Sequence, residues 1–326
     1  MLMTEMDFIL LKELIHGAEV TEKEGFYHLS RFTPEQRDSY ADNKDFYQKT
    51  FASSSVRMEF ETDAKMFVMD VSLNKGSSRT FYYFDIMLNG ALIRCNGAES
   101  YLEQPDFHLE LPLDGTRNRV CIYFPSLVEV RLKRAAYEDA SFMKSVRKKY
   151  RMVSFGDSIT QGYDAIHPSL AYPNQIADFL DADVVNKGIG GDIFNPALAA
   201  CPEPVMPDFI TVAYGTNDWS RGTKEQLKNN AEQFFQNLAK NYPGVPVLTV
   251  LPIWRKDSDR ITDAGTFEEA RGIIRNICGT YPSIQIADGM TLVPHLDECF
   301  RSDGLHPNDF GFQFMGRALF KYLPQL

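Results

Sequence analysis

The sequence predicts two folds in tandem, an all-β sandwich over residues 1–143 followed by an α/β domain with a parallel sheet over residues 144–326. Three observations predict it. Apolar residues alternate with period two from about Val56 to Leu132, which is the pattern of half-buried strands. Asn-Gly and Asp-Gly pairs punctuate that stretch, and such pairs favour tight hairpin turns because both residues tolerate positive φ. Beyond the charged run Lys144-Ser145-Val146-Arg147-Lys148-Lys149-Tyr150 the texture changes to short apolar runs alternating with segments of helical spacing, as in a sheet covered by helices.

In the first region the alternating sets are Val56-Met58-Phe60, Phe67-Met69-Val71, Tyr82-Phe84-Ile86-Leu88, Val120-Ile122-Phe124 and Val128-Val130-Leu132. Turns are expected at Asn74-Lys75-Gly76-Ser77, Asn89-Gly90, Asn96-Gly97 and Asp114-Gly115. Alternation places Tyr82 and Phe84 in the core, so the aromatic run Phe81 to Phe84 is no binding signature. The boundary is expected within residues 137–149. In the second region strands are expected at Met152–Phe155, Asp183–Asn186, Phe209–Tyr214, Val247–Leu251 and Ile284–Ala287. Helices are expected at Tyr172–Leu180, Lys224–Ala239, Thr266–Cys278 and Asn308–Tyr322. Sheets of this kind gather functional groups on the loops that follow their strands.

The 326-residue length suits two domains, each able to bury its own core. With 44% apolar and 24% charged residues the chain is neither disordered nor fibrous. A net charge of −10 argues against a phosphate-neutralising surface, so no nucleic-acid partner is expected. No run approaches the ~18 apolar residues of a membrane span, and the stretch Met1 to Asp7 lacks the features of a targeting signal. A cytoplasmic location is the resulting expectation. Cys95, Cys121, Cys201, Cys278 and Cys299 are scattered and odd in number, and are read as reduced thiols.

Four segments of the second region carry chemistry. Gly156-Asp157-Ser158-Ile159-Thr160-Gln161-Gly162 follows the first apolar strand and can present Ser158 Oγ and its own N–H at the sheet edge. Asn186-Lys187-Gly188-Ile189-Gly190-Gly191-Asp192 exposes backbone N–H groups that could donate to an anionic oxygen. A nucleotide-phosphate role for it is weak, since neither the dinucleotide nor the Walker pattern is present. Gly215-Thr216-Asn217-Asp218 offers the Asn217 amide, which could equally cap a loop. Asp303-Gly304-Leu305-His306-Pro307 spaces a carboxylate to reach imidazole Nδ1, leaving Nε2 free as a base, and Pro307 suits the first turn of the last helix. Any one segment is more often an ordinary loop. Together they supply a nucleophile, a base, its orienting group and oxyanion donors, which is what acyl transfer needs.

In this order the four segments resemble the blocks of the SGNH, or GDSL, hydrolase superfamily over about residues 150–326. The resemblance implies a flavodoxin-like three-layer α/β/α domain, with Ser158 as nucleophile, His306 as base and Asp303 as its partner. It implies the Ser158 N–H, the Gly191 N–H and the Asn217 side chain as oxyanion donors, with Gly190 a competitor of Gly191. No metal or cofactor is expected, and His16, His28, His108, His167 and His295 form no ligand-spaced cluster in the sequence. A preceding, jelly-roll-like sandwich resembles the arrangement of family 2 carbohydrate esterases, some of which lack the triad Asp that this chain keeps. That implies removal of acetyl groups from sugars, here a small acetylated-sugar ester. Asp157, Gly190, Trp219 and Trp254 are candidate substrate contacts, the tryptophans by stacking on a sugar or, alternatively, by packing under loops. Two other functions stand beside this one: a lipid or thioester acylhydrolase or acyltransferase with the same triad, and a sugar-binding protein with a silent hydrolase half. The sandwich is expected to shape the cleft or to bind sugar itself, and oligomeric state is not legible.

Overall fold

The computed structural model describes residues 3–323. Met1 and Leu2, part of the stretch read above for a targeting signal, lie outside the described residues, as do residues 324–326. The chain forms two compact units. One comprises residues 3–31, Gln48–Lys148 and His167–Ser169, and the other comprises Phe32–Tyr47, Lys149–Ile166 and residues 170–323. Thus Phe32–Tyr47, which the sequence places with the sandwich, clusters with the second unit instead.

The first unit is a β-sandwich of two six-stranded antiparallel sheets. Arg57–Thr62, Asn118–Tyr123 and Tyr82–Leu88 lie side by side in one sheet, and Val128–Glu138, Met66–Lys75 and Asp106–Pro112 in the other. Alternate residues face the core: Met58, Phe60, Phe67, Met69, Val71, Tyr82, Phe84, Ile86, Val120, Ile122, Val130 and Leu132 are all buried. Each fully buried side chain of this size contributes roughly 1.5–3 kcal/mol. The Asp106–Pro112 strand, absent from the expected set, adds Phe107, Leu109 and Leu111 to the same core.

The second unit is built on a five-stranded parallel sheet ordered Ala182–Gly188, Tyr150–Gly156, Phe209–Ala213, Val247–Val250, Ile284–Ala287. In sequence terms that is 2-1-3-4-5, with the topological switch between the first and third strands. The expected helices form at Tyr172–Leu180, Lys224–Asn241, Phe267–Cys278 and Asp309–Leu319. Thr223 and Thr266 start two of them with reciprocal capping boxes to Gln226 and Glu269, each satisfying two otherwise orphaned N–H groups. Leu227, Ala231, Phe234, Phe235 and Leu238 line one stripe of Lys224–Asn241 and bury it against the sheet core. The last helix is capped by Asn308, whose side chain accepts from Gly311 N–H at 3.0 Å. Pro307 therefore precedes the cap rather than occupying the first turn, because Asn308 can receive the exposed N–H and proline cannot. No helix among the described residues is long and apolar enough to cross a membrane.

Phe32–Tyr47 reaches the second unit through a buried ion pair. Lys187 Nζ lies 2.8 Å from Glu203 and donates to Gln36 Oε1 at 2.8 Å, while Gln36 Nε2 donates to Glu203 at 2.6 Å. All three side chains are buried, so each charge is met by hydrogen bonds as well as by its partner. Phe32 and Tyr40 join the core of this unit.

Candidate active site

Three of the chemistry-bearing segments lie where a parallel strand ends, and the fourth, Asp303–Pro307, lies just ahead of the helix Asp309–Leu319. After Tyr150–Gly156 the chain turns directly into the short helix Ser158–Gln161. Asp157 caps that helix, accepting from Ile159 N–H at 2.9 Å, so Ser158 occupies its first position and its N–H has no acceptor among the described residues. Ser158 is 4% exposed. After Ala182–Gly188, the Asn186 side chain ties the next loop down, donating to Thr160 C=O at 2.7 Å and accepting from Gly188 N–H at 2.8 Å. Gly190 N–H donates to Gln161 Oε1 at 2.6 Å and is thereby occupied. Gly191 N–H has no acceptor among the described residues, and a φ of +89° there suits only glycine without strain. Of the two adjacent glycines, it is Gly191 that retains a donor.

The third strand, Phe209–Ala213, leads into the helix Thr216–Arg221 rather than into a loop. Asn217 on its first turn donates through Nδ2 to Asp192 C=O at 2.9 Å and accepts through Oδ1 from Arg221 at 2.6 Å. That leaves one Nδ2 hydrogen uncommitted.

At the far end of the chain, Asp303 Oδ1 accepts from the N–H groups of Leu305 at 2.9 Å and His306 at 3.0 Å, closing a turn around Gly304. Arg301 N–H donates to His306 C=O at 2.8 Å and clamps the same loop. The second carboxylate oxygen meets His306 Nδ1 at 2.6 Å, and His306 Nε2 lies 2.8 Å from Ser158 Oγ. With Nδ1–H donating to Asp303, Nε2 is the acceptor that faces the serine hydroxyl. Partial burial opposes ionisation of Asp303, but the hydrogen bonds from the His306 ring and from the two N–H groups outweigh it and hold the carboxyl far below the usual range. The ring of Tyr163 stacks on the imidazole, centroids 5.4 Å apart and 29° between planes.

Residues 154–314, which include all four segments, match the model of the GDSL-like lipase/acylhydrolase family. The chain carries a GDSL-like lipase/acylhydrolase domain. It is an enzyme of the carboxylic ester hydrolase class. Among solved structures, the salicylyl-acyltransferase SsfX3 of a tetracycline biosynthetic pathway is similar at 19% identity and TM-score 0.79, over 93% of this chain and 92% of that one. A family two carbohydrate esterase from Cellvibrio japonicus is similar at 15% identity and TM-score 0.69, over 99% and 97%. An acetyl xylan esterase from the rumen bacterium Butyrivibrio proteoclasticus is similar at 16% identity and TM-score 0.65, over 99% and 97%. At such identities the likeness speaks of fold, and it extends through both units. No curated protein matches the chain by sequence.

Within the GDSL-like domain several expected contacts take other roles. Trp219 is fully buried, its Nε1 donating to Gly265 C=O at 3.0 Å and its ring edge-on to Phe267, so it packs and has no face for a sugar. Trp254 is half-buried between His295, stacked at 5.2 Å, and Phe300 at 5.0 Å, which again is packing. Asp157 is a buried cap whose carboxyl is pushed up to about 6 by desolvation. Burial likewise raises Asp218 to about 7 and Asp192 to about 8. An open depression of about 410 Å³ adjoins the Gly191 loop, lined among others by Phe46, Ile193, Asp218 and Arg221.

Two features had no sequence signal. Asp164, buried and at φ +67°, sets a second carboxylate 3.7 Å from His306 Nδ1. In the first unit His167 meets two residues of ligand type, Asp85 and Cys95, with donor atoms within 4.8 Å of one another. Asp85 is already committed there, to His167 Nδ1 at 2.8 Å and to Ser169 Oγ at 2.6 Å. At His306 the two ring nitrogens are hydrogen-bonded to Asp303 and Ser158.

Proposed function

We propose that this chain is a serine O-acetyl esterase acting on acetylated carbohydrates, with Ser158 as nucleophile, His306 as base and Asp303 as the group that orients it. The observation that carries the reading is the unbroken hydrogen-bond chain Asp303 Oδ2, His306 Nδ1, His306 Nε2, Ser158 Oγ, with separations of 2.6 and 2.8 Å. Ser158 Oγ attacks the ester carbonyl carbon as Nε2 takes its proton. The resulting oxyanion is met by the N–H groups of Ser158 and Gly191 and by the remaining Asn217 Nδ2 hydrogen, each such donor being worth about 10²–10³ in rate. His306 returns its proton to the departing alcohol oxygen as the acyl carbon–oxygen bond breaks. Water then attacks the acyl-enzyme by the same route and releases the acid. Asp303 remains ionised throughout and stabilises the imidazolium.

Support for acetyl and sugar comes from the sandwich preceding the GDSL-like domain and from similar structures whose names state carbohydrate and acetyl xylan esterase. Ser158→Ala is expected to abolish hydrolysis of 4-nitrophenyl acetate, with at least a 10³-fold loss in kcat. Wild-type kcat/KM is expected to fall steeply from acetyl to hexanoyl esters. Survival of turnover in Ser158→Ala sinks the triad, and preference for the longer chains sinks the deacetylase. Transfer of the acyl group to an alcohol other than water is the second reading, favoured by the depression beside Gly191, which has room for an acceptor. Adding sugar alcohols and measuring ester product against free acetate separates the two.

A further inference from the structure

Arg221 lies four residues after Asn217 on the helix Thr216–Arg221, so both side chains leave the same face. A single nitrogen of its guanidinium, Nη2, donates to Asn217 Oδ1 at 2.6 Å and to Gly191 C=O at 2.6 Å. Those two partners belong to the two segments that supply oxyanion donors beyond Ser158. Arg221 is exposed.

The Asn217 amide is nearly symmetric in shape but opposite in chemistry at its two ends. Turned one way, it offers an N–H to a developing oxyanion. Turned the other way, it offers a second oxygen, which repels one. Asp192 C=O accepts from Nδ2 at 2.9 Å and Arg221 donates to Oδ1, so each neighbour favours the donating orientation. The same guanidinium nitrogen holds the Gly191 carbonyl, in a loop whose φ of +89° leaves glycine free to rotate.

We infer that Arg221 is a positioning residue for the oxyanion donors, fixing the Asn217 amide with its N–H toward the oxyanion and locking the Gly191 loop against it. The inference rests on the catalytic reading above. It assigns Arg221 no contact with substrate, and predicts that its removal weakens binding of the transition state while ground-state binding is kept.

The test is kinetic. Arg221→Met keeps the stem and removes every donor. It is expected to lower kcat for 4-nitrophenyl acetate about 10- to 100-fold, part of the loss of a whole oxyanion donor, with KM changed less than about twofold. Arg221→Lys restores one donor on a flexible stem and is expected to recover part of the rate. In an Asn217→Ala background, Arg221→Met is expected to cost clearly less than in the wild type, because the amide it orients is gone and only its hold on the Gly191 carbonyl remains to be lost. Thermal melts of each variant confirm that they are folded. Three results overturn the inference: unchanged kcat in folded Arg221→Met, a loss confined to KM, or an equal loss with and without Asn217. Ser158→Ala separates this from failure of the catalytic reading. If Ser158→Ala remains active the triad is wrong, whereas if it is dead and Arg221→Met is normal only the role of Arg221 falls.

Discussion

Gly190→Ala probes how tightly the base is held by packing. A Cβ at Gly190 would lie 2.4 Å from Tyr163 Cε2, 2.7 Å from Cζ and 2.9 Å from the hydroxyl oxygen. Interior carbons rarely approach closer than about 3.5 Å, so the Tyr163 ring has to retreat by roughly 1 Å. It is buried and stacked on His306, so the displacement passes to the imidazole that bridges Asp303 and Ser158. A misplacement of about 1 Å in a catalytic group costs about 10²-fold in rate. Overpacking of a filled core costs about 1–3 kcal/mol, enough to lower Tm by a few degrees without unfolding the chain. Alanine keeps the N–H that Gln161 accepts, and Gly190 is not in the left-handed region, so the effect is one of space. The expected outcome is a folded enzyme whose kcat on 4-nitrophenyl acetate falls about 10²-fold. In a Tyr163→Ala background, where the ring is absent, the same substitution is expected to change kcat less than about twofold. Wild-type turnover in folded Gly190→Ala, or an undiminished penalty once Tyr163 is removed, would refute the chain of contacts.

Asp192 is expected to make stability depend on pH. Burial raises its carboxyl to about 8, above its unfolded value, so the folded state holds the proton more tightly and stability is lost as pH rises through that region. Asp192→Asn stays neutral and keeps polar partners for Tyr40 and Ile193, so its Tm advantage over wild type is expected to widen between pH 5 and about 9. A constant difference in melts across that range contradicts it. Lys187→Met leaves Glu203 buried without its cation and is expected to lower the unfolding free energy by about 3–5 kcal/mol. A loss below about 1 kcal/mol in urea titration would show that the pair is not what holds Phe32–Tyr47.

Much of the fold was legible because burial imposes a period on sequence. The alternation that marks Tyr82-Phe84-Ile86 or Val120-Ile122 survives in any context where one sheet face is covered, and both sets are buried in the sandwich core. The helices of the second unit announced themselves in the same way, with Thr223 and Thr266 at their starts. Phe32–Tyr47 was not legible as part of that unit. Its Thr33 and Gln36 form a capping box visible in the sequence, but a cap specifies a helix and not the domain it joins. That membership is set by Gln36 meeting Lys187 and Glu203, more than 150 residues away along the chain.

Around the site, linear order conveyed the proposed triad in part because three of the four segments sit at the ends of parallel strands, so their proximity follows from sheet topology, while the fourth leads into the last helix. Side-chain direction was a different matter, and one helix shows why. Gly215-Thr216-Asn217-Asp218 reads as a loop, and in a loop the next residue, Trp219, is a natural candidate for the rim. It is instead the start of the helix Thr216–Arg221. At about 100° per residue, position i+2 lies about 200° round the helix from Asn217, and position i+4 returns to within about 40°. Trp219 therefore points away from the Asn217 face, into the packing against Phe267, and Arg221 comes back to the Asn217 amide. Of the two readings of Trp219, stacking on a sugar or packing, the helix realises packing, and the same helical phase brings Arg221, which the loop reading does not single out, back to the Asn217 amide.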